Sequence, residues 1–304
     1  MILVESQPNL TTNAGGEPWR TAAVCPRSKG AGLARRFARD KAGLVGLAIV
    51  ISFALAAVFA QYISPYDPTR ANLGVALQGP SLAHLLGTDH LGRDILSRII
   101  HGGQTSLLMG VVAVGIAMAI GLPIGLVAGY YGKFWDLALM RLVDVMLSFP
   151  GLLLAILIVA VLGPSVENAM VAVGISSVPL FARLIRGSAL SIKELEYVEA
   201  ARVIGLNDAG IILKYILPNC LSPVLVQATL RIGTAILTAA GLSFLGLGAQ
   251  PPLPEWGAML SQGRDYIQMA NHIAAFPGLA IMLVVLGFNL LGDALSESLN
   301  PQLG

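Results

Sequence analysis

Asp144 and Arg231 each stand inside a long apolar run, about eight and ten residues from its start. At 1.5 Å per residue, Arg231 is then roughly 15 Å deep if its run is a membrane helix. An ionised side chain at that depth is expensive, so it lines a polar path or is held by a partner. Two readings follow. Asp144, Arg183 and Arg231 line a solute path or gate, or Asp144 forms a buried pair with Arg183 or Arg231 that fixes helix packing.

Other chemistry finds little footing. His84, His90, His101 and His272 fall in or near loops, without an H-E-x-x-H metal motif or a recognisable serine partner. Asp89, His90 and Asp94 are close enough in sequence to suggest metal ligands, but helix capping and a solvated face explain the same residues. Gly132-Lys133 is followed by Phe134 and lacks the upstream glycine of a phosphate-cradling loop. The expectation is therefore no catalytic residue, no metal site and no cofactor in this chain, with any ATP and magnesium bound elsewhere. Cys25 and Cys220 support no disulfide framework.

The elements that carry these residues are membrane helices. Of 304 residues, 55% are apolar and 12% charged, about half the roughly 25% charge of a soluble domain. A net charge of +2 excludes a nucleic-acid binder by electrostatics. The apolar runs are continuous instead of alternating, which excludes an outer-membrane barrel. Residues 1–41 carry Arg20, Arg27, Lys29, Arg35, Arg36, Arg39 and Lys41 and read as a mobile basic tail. Six runs then approach the ~20 residues a crossing needs: 42–62, 106–131, 137–162, 168–184, 221–242 and 273–295. The first exceeds a signal-peptide core and reads as an uncleaved span. Basic residues orient the bundle. With the tail inside, fourteen of the nineteen Lys and Arg fall on the cytoplasmic side, Arg70, Arg93, Arg98 and Arg264 fall outside, and Arg231 lies within the fifth run. Both termini are then cytoplasmic, in a multi-pass protein surrounded by lipid.

Two connections are long. The outer one, Ile63 to Thr105, offers Thr88 or Asp89 as caps and predicts a short amphipathic surface helix through Ile95, Leu96, Ile99 and Ile100. The inner one, Ser188 to Pro218, has a capping-box spacing at Ser191 and Glu194. That predicts a helix to Ile204, a left-handed turn at Gly205, an Asn207 cap and a second helix to Leu217. With Glu194, Glu196 and Glu199 beside Leu195, Tyr197 and Val198, this hairpin presents a knob for a soluble partner, or else lies on the membrane and closes the bundle. Pro150 and Pro179 predict kinks. Gly110, Gly115, Gly121 and Gly125 predict close helix contact. Trp256, Tyr266, Tyr130, Tyr131 and Trp135 sit where interfacial anchors are expected.

Glu199-Ala200-Ala201, three residues, Gly205, eleven residues and Leu217-Pro218 resemble the E-A-A loop of permease subunits of binding-protein-dependent ABC importers. Tyr215 stands where that family often has an aliphatic residue. Three further strings resemble the "C" type subunit of the dipeptide, oligopeptide, glutathione and nickel branch. They are Gly87-Thr88-Asp89 through Leu91-Gly92-Arg93-Asp94 with Ser97-Arg98, Arg141 to Asp144 with Phe149-Pro150, and Ser243 to Gly248 running into Pro254-Glu255-Trp256-Gly257. Gln104 sits where many relatives carry arginine. The resemblance covers about residue 35 to the end.

It implies an all-α integral membrane fold with six transmembrane helices and a cytoplasmic helix-turn-helix coupling loop, as in type I ABC importer permeases. In that loop Glu199 would contact an ATPase and Gly205 make the turn, with Ala200, Ala201, Leu217 and Pro218 completing the motif. The implied partners are a second homologous permease, two ATPase subunits or domains and an extracytoplasmic solute-binding protein. The implied cargo is a dipeptide or oligopeptide, with glutathione or a nickel chelate as alternatives. An ion-coupled secondary transporter is the rival from another class, and a membrane-embedded enzyme a third.

Overall fold

The computed structural model describes residues 37–299, so most of the expected basic tail, with Cys25, lies outside the described residues. Among these the chain is helical, with one isolated bridge between Thr88 and Asp94 and no sheet. Asp40 caps α1 (Lys41–Val58) by accepting from the Ala42 N–H at 2.9 Å, and after a break at Phe59 a short α2 follows (Ala60–Ile63). The remaining helices are α3 (Ile95–Tyr131), α4 (Lys133–Leu147), α5 (Gly151–Leu162), α6 (Val166–Lys193), α7 (Glu196–Val203), α8 (Asp208–Ile211), α9 (Leu217–Phe244), α10 (Trp256–Arg264) and α11 (His272–Leu299). Five of these segments are long and apolar enough to cross a membrane: α1, α3, α6, the run through α8 and α9, and α11. The bent pair α4 and α5 is the sixth candidate.

The core is built by close approach of α3 and α6. On α3, Gly121, Gly125 and Gly129 face Phe181, Ala182, Ile185 and Ala189 of α6. A Cβ at Gly125 would stand 2.5 Å from the Ala182 carbonyl oxygen, so the two backbones touch. Gly110 meets Ile236 of α9, while Gly115 has no such neighbour.

Several expectations are corrected. The short surface helix around Ile95 to Ile100 is not separate: it is the first turns of α3, a 37-residue helix. Its cap is neither Thr88 nor Asp89 but Asp94, whose Oδ2 accepts from the Ser97 N–H at 2.8 Å. Ile95 is buried with Trp256 and Met259, which draws those turns into register with the span. The third run is not one straight crossing. Pro150 lacks an N–H and disfavours a helical residue before it, and α4 and α5 meet there at 91°. Pro179, by contrast, is absorbed inside α6.

The Ser191–Glu194 box does not form. Ser191 belongs to α6, where its hydroxyl donates to the Gly187 carbonyl at 3.2 Å. The helix after it starts at Glu196 from Leu195, which makes no side-chain cap. Nor does the chain break at Leu217. A π-helical turn, Ile212–Ile216, leads directly into α9, with Pro218 in its first turn, where no N–H is needed.

Trp256 is no interfacial anchor. It is 0% exposed, and its indole N–H donates to the Ile99 carbonyl at 2.9 Å. Tyr130 is buried too, and the Tyr266 ring stacks on His90 with centroids 5.4 Å apart.

Candidate functional site

The hairpin between α6 and α9 takes its shape from three local devices. Gly205, at φ +85°, follows the last turn of α7, with its N–H on the Arg202 carbonyl and the Leu206 N–H on the Ala201 carbonyl, both at 3.1 Å. This is the Schellman pattern that a glycine closes at low cost. Asn207 then accepts from the Gly210 N–H at 2.9 Å and starts α8. These two features stand where the sequence placed them.

α7 is two-faced. Val198 and Ala201 are buried in the same cluster as Ile211, Ile216 and Cys220 and the α3–α6 core. Glu199 and Ala200 point away and are exposed, and Val203 and Ile204 are 86% and 73% exposed at the tip. Val198 therefore anchors the hairpin instead of being presented. Leu217 is half-buried and Pro218 exposed. Tyr215 packs partly on the core with its ring 6.3 Å from Tyr197, and Asn219 donates to both residues, at the Tyr215 carbonyl and the Tyr197 hydroxyl.

The hairpin is also tied sideways, by contacts that spacing alone does not signal. The Tyr130 hydroxyl, in the last turn of α3, donates to Asp208 Oδ1 at 2.7 Å, and the Arg202 guanidinium lies 6.0 Å from the Tyr130 ring centroid. α6, which leads into the hairpin, is bound to α4 by two ion pairs. Arg183 Nη2 reaches Asp144 Oδ1 at 2.7 Å. Arg186 grips both carboxylate oxygens of Asp136, through Nε on Oδ1 and through Nη2 on Oδ2 at 2.7 Å. The second pair was missed, although Arg183 and Arg186, three residues apart, share a helix face. Asp136, Asp144, Arg183 and Arg186 line a cleft of about 480 Å³ with Leu137 and Met140.

Of the two partners expected for Asp144, Arg183 and Arg231, it is Arg183 that meets it. The two side chains are, however, 53% and 57% exposed within this chain. Arg231 joins neither pair. The Asp89, His90 and Asp94 cluster is a structural knot. Asp89 accepts from the Leu91 and Arg93 N–H groups and from Arg93 Nε, and Asp94 caps α3 and meets His84 Nδ1 at 2.9 Å. Burial, opposed by Asp89, holds the His90 imidazole below its ordinary pKa. Gln104 donates to the Ala57 carbonyl at 2.8 Å, joining α3 to α1.

Residues 121–304 match the family described as binding-protein-dependent transport system inner membrane component, and residues 31–80 match the N-terminal transmembrane domain of oligopeptide transport permease C. The chain belongs to this permease family. The permease is 48% identical over 286 residues to the dipeptide transport system permease protein DppC of Alkalihalophilus pseudofirmus, covering 94% of this chain and 90% of that one. It is 49% identical over 270 residues to the glutathione transport system permease protein GsiD of Pectobacterium atrosepticum, covering 88% and 90%. Its fold is similar to a chain of the MetNI methionine ABC transporter solved in inward-facing conformations, at a TM-score of 0.53 and 20% identity over 67% of this chain and 97% of that chain. It is a multi-pass membrane permease of an ABC importer and not an enzyme. Membership decides against the ion-coupled transporter. In this family a permease works with ATPase partners and a substrate-binding protein.

Proposed function

We propose that this permease imports short peptides, with glutathione, itself a peptide, within the same range. It pairs with a second, homologous permease. Two ATPase subunits that bind ATP and magnesium sit against the α7 hairpin, and a solute-binding protein delivers cargo to the opposite face. The hairpin end is cytoplasmic, as are both termini, because fourteen of the nineteen basic residues fall on that side.

One observation carries the reading. Glu199, Val203 and Ile204 are exposed on an element whose other face, Val198 and Ala201, is locked into the helix core. Apolar side chains held out on a rigid knob outside the membrane fit a protein partner's cleft, and their anchoring lets displacement of α7 reach α3 and α6 without being lost in the loop. Glu199 contacts the ATPase, Gly205 sets the angle of the knob, and Ala200, Ala201, Leu217 and Pro218 shape its base. Asp144 and Arg183 work as a separable pair that joins α4 to α6 at a cleft facing away from this chain's core.

Val203→Cys, in a Cys25→Ser background, tests the assignment. Crosslinking to an ATPase subunit in the assembled importer, with labelling by an impermeant thiol reagent only in inverted vesicles, is the expected result. Labelling from the outer face, or no crosslink in an ATP-hydrolysing complex, contradicts it.

A further inference from the structure

On α9, Gln227, Arg231, Thr234 and Thr238 recur at intervals of four, three and four, which places them in one stripe of an α-helix. Much of the rest of α9 is covered, although Leu221, Leu225 and Leu237 are exposed apolar side chains. Gly233 and Leu230 meet α11, Ile236 meets α3, and Val224, Ala228, Ala235 and Ala239 are buried in the core shared with α6. The stripe is the polar line on this helix and is only partly covered: Thr234 is exposed, and Gln227, Arg231 and Thr238 are half-buried.

Among the described residues Arg231 makes no ion pair, and Asp144, the partner the sequence offered it, is held by Arg183. A guanidinium partway along a span does not face lipid unpaired. It takes an anion, and its planar fork suits a carboxylate. The hydroxyls beyond it complement that choice. Thr234 Oγ1 donates to the Arg231 carbonyl at 3.0 Å and Thr238 Oγ1 to the Thr234 carbonyl at 2.8 Å. Their protons are spent on the backbone, so what they offer outward is lone pairs that accept from N–H groups. Seven residues of helix separate Arg231 from Thr238, roughly 10 Å, close to the reach of three extended residues at ~3.4 Å each.

We propose that Arg231 binds the free carboxylate of the peptide in transit, while the Thr234 and Thr238 hydroxyls accept from its N–H groups. The inference rests on the peptide-permease reading and deepens it: the membrane subunit itself selects for a free carboxylate, independently of the binding protein.

The test uses the assembled importer in proteoliposomes, with dialanine and its C-terminal amide as probes, each saturating the binding protein. Arg231→Gln lowers dialanine uptake at least about tenfold, the weight of one lost charge-assisted hydrogen bond. It also abolishes the preference for acid over amide, while ATP hydrolysis stimulated by the loaded binding protein persists. Arg231→Lys keeps the preference. Thr234→Val, which moves no charge and lies within a dipeptide's reach of Arg231, slows uptake of both probes and keeps their ratio. Wild-type dialanine uptake in Arg231→Gln overturns the inference. So does an equal fall for acid and amide, which assigns Arg231 to pairing with an acid of the second permease. If Arg231→Gln does not assemble, unchanged uptake in Thr234→Val, or a lost acid preference in Arg231→Lys, overturns it. Absence of ATP-driven dialanine uptake by the unaltered complex overturns the peptide reading beneath it, and the inference too, and is distinct from any altered ratio in a variant.

Discussion

Tyr130 and Asp208 are 78 residues apart in sequence, and their side chains meet at 2.7 Å, hydroxyl to carboxylate. The contact joins the last turn of α3 to the first residue of α8, so the hairpin is fastened to a second membrane helix besides the α6 it continues. Removing the hydroxyl in Tyr130→Phe deletes a hydrogen bond to a charged group, worth about 1.5–3 kcal/mol. The expected outcome is faster amide hydrogen exchange across residues 196–211 and less solute moved per ATP, with the protein still inserted. Unchanged exchange there would show that Val198 and Ala201 alone hold the hairpin.

The two ion pairs between α4 and α6 differ in geometry, and their weights should differ accordingly. Arg186 clasps both oxygens of Asp136 and both side chains are the more covered, whereas Asp144 and Arg183 meet through a single contact and are more than half exposed. A bidentate, partly desolvated pair is the stronger. A double-mutant cycle by thermal unfolding in detergent is expected to give a larger coupling energy for Asp136 with Arg186 than for Asp144 with Arg183. The reverse order would place Asp144 and Arg183 against a surface that this chain does not provide.

Trp256 fills the far end of the bundle from the hairpin, packed edge-on to Phe53 at 5.7 Å and bonded to the Ile99 carbonyl. Trp256→Ala is expected to cost about 3–5 kcal/mol, as for other buried tryptophans. Trp256→Phe should recover most of the packing but not the hydrogen bond. Thermal unfolding of the purified chain distinguishes them.

Much of this was legible in the residues. Gly205 and Asn207 each act locally, one through a backbone conformation and one through a cap, so sequence alone places them. What was not legible depends on tertiary contact. The Ser191–Glu194 spacing signals a helix start only if the preceding turn is not helical, and Ala189, packed on Gly129, keeps α6 going past that point. Trp256 looked like an interfacial anchor because its burial depends on Gly102 and Gly103 lying against its ring from another part of the chain. The Asp144 partner was ambiguous because spacing gives depth along a helix but not which neighbour faces it.

His90 gives the cap region a pH dependence. Burial lowers its pKa, Arg93 and Arg98 add to that and Asp89 opposes it, while Tyr266 stacks on the ring. A histidine with a depressed folded pKa contributes stability that is fully present above its unfolded value of about 6.5 and lost as pH falls through the folded value. Protection factors over residues 72–94, which correct exchange for its intrinsic pH dependence, should therefore fall as pH drops below about 6.5, and His90→Phe should remove that fall. An equal response in the variant would assign it to other groups.

The most direct test of the account is the number of solute molecules imported per ATP hydrolysed by the assembled importer carrying Glu199→Arg or Gly205→Pro. The first reverses an exposed charge on α7, and the second forces φ from +85° toward about −65°. Insertion and ATP hydrolysis are expected to persist while uptake collapses. Normal uptake per ATP in both variants would contradict the claim that this hairpin carries force from the ATPase to the membrane helices.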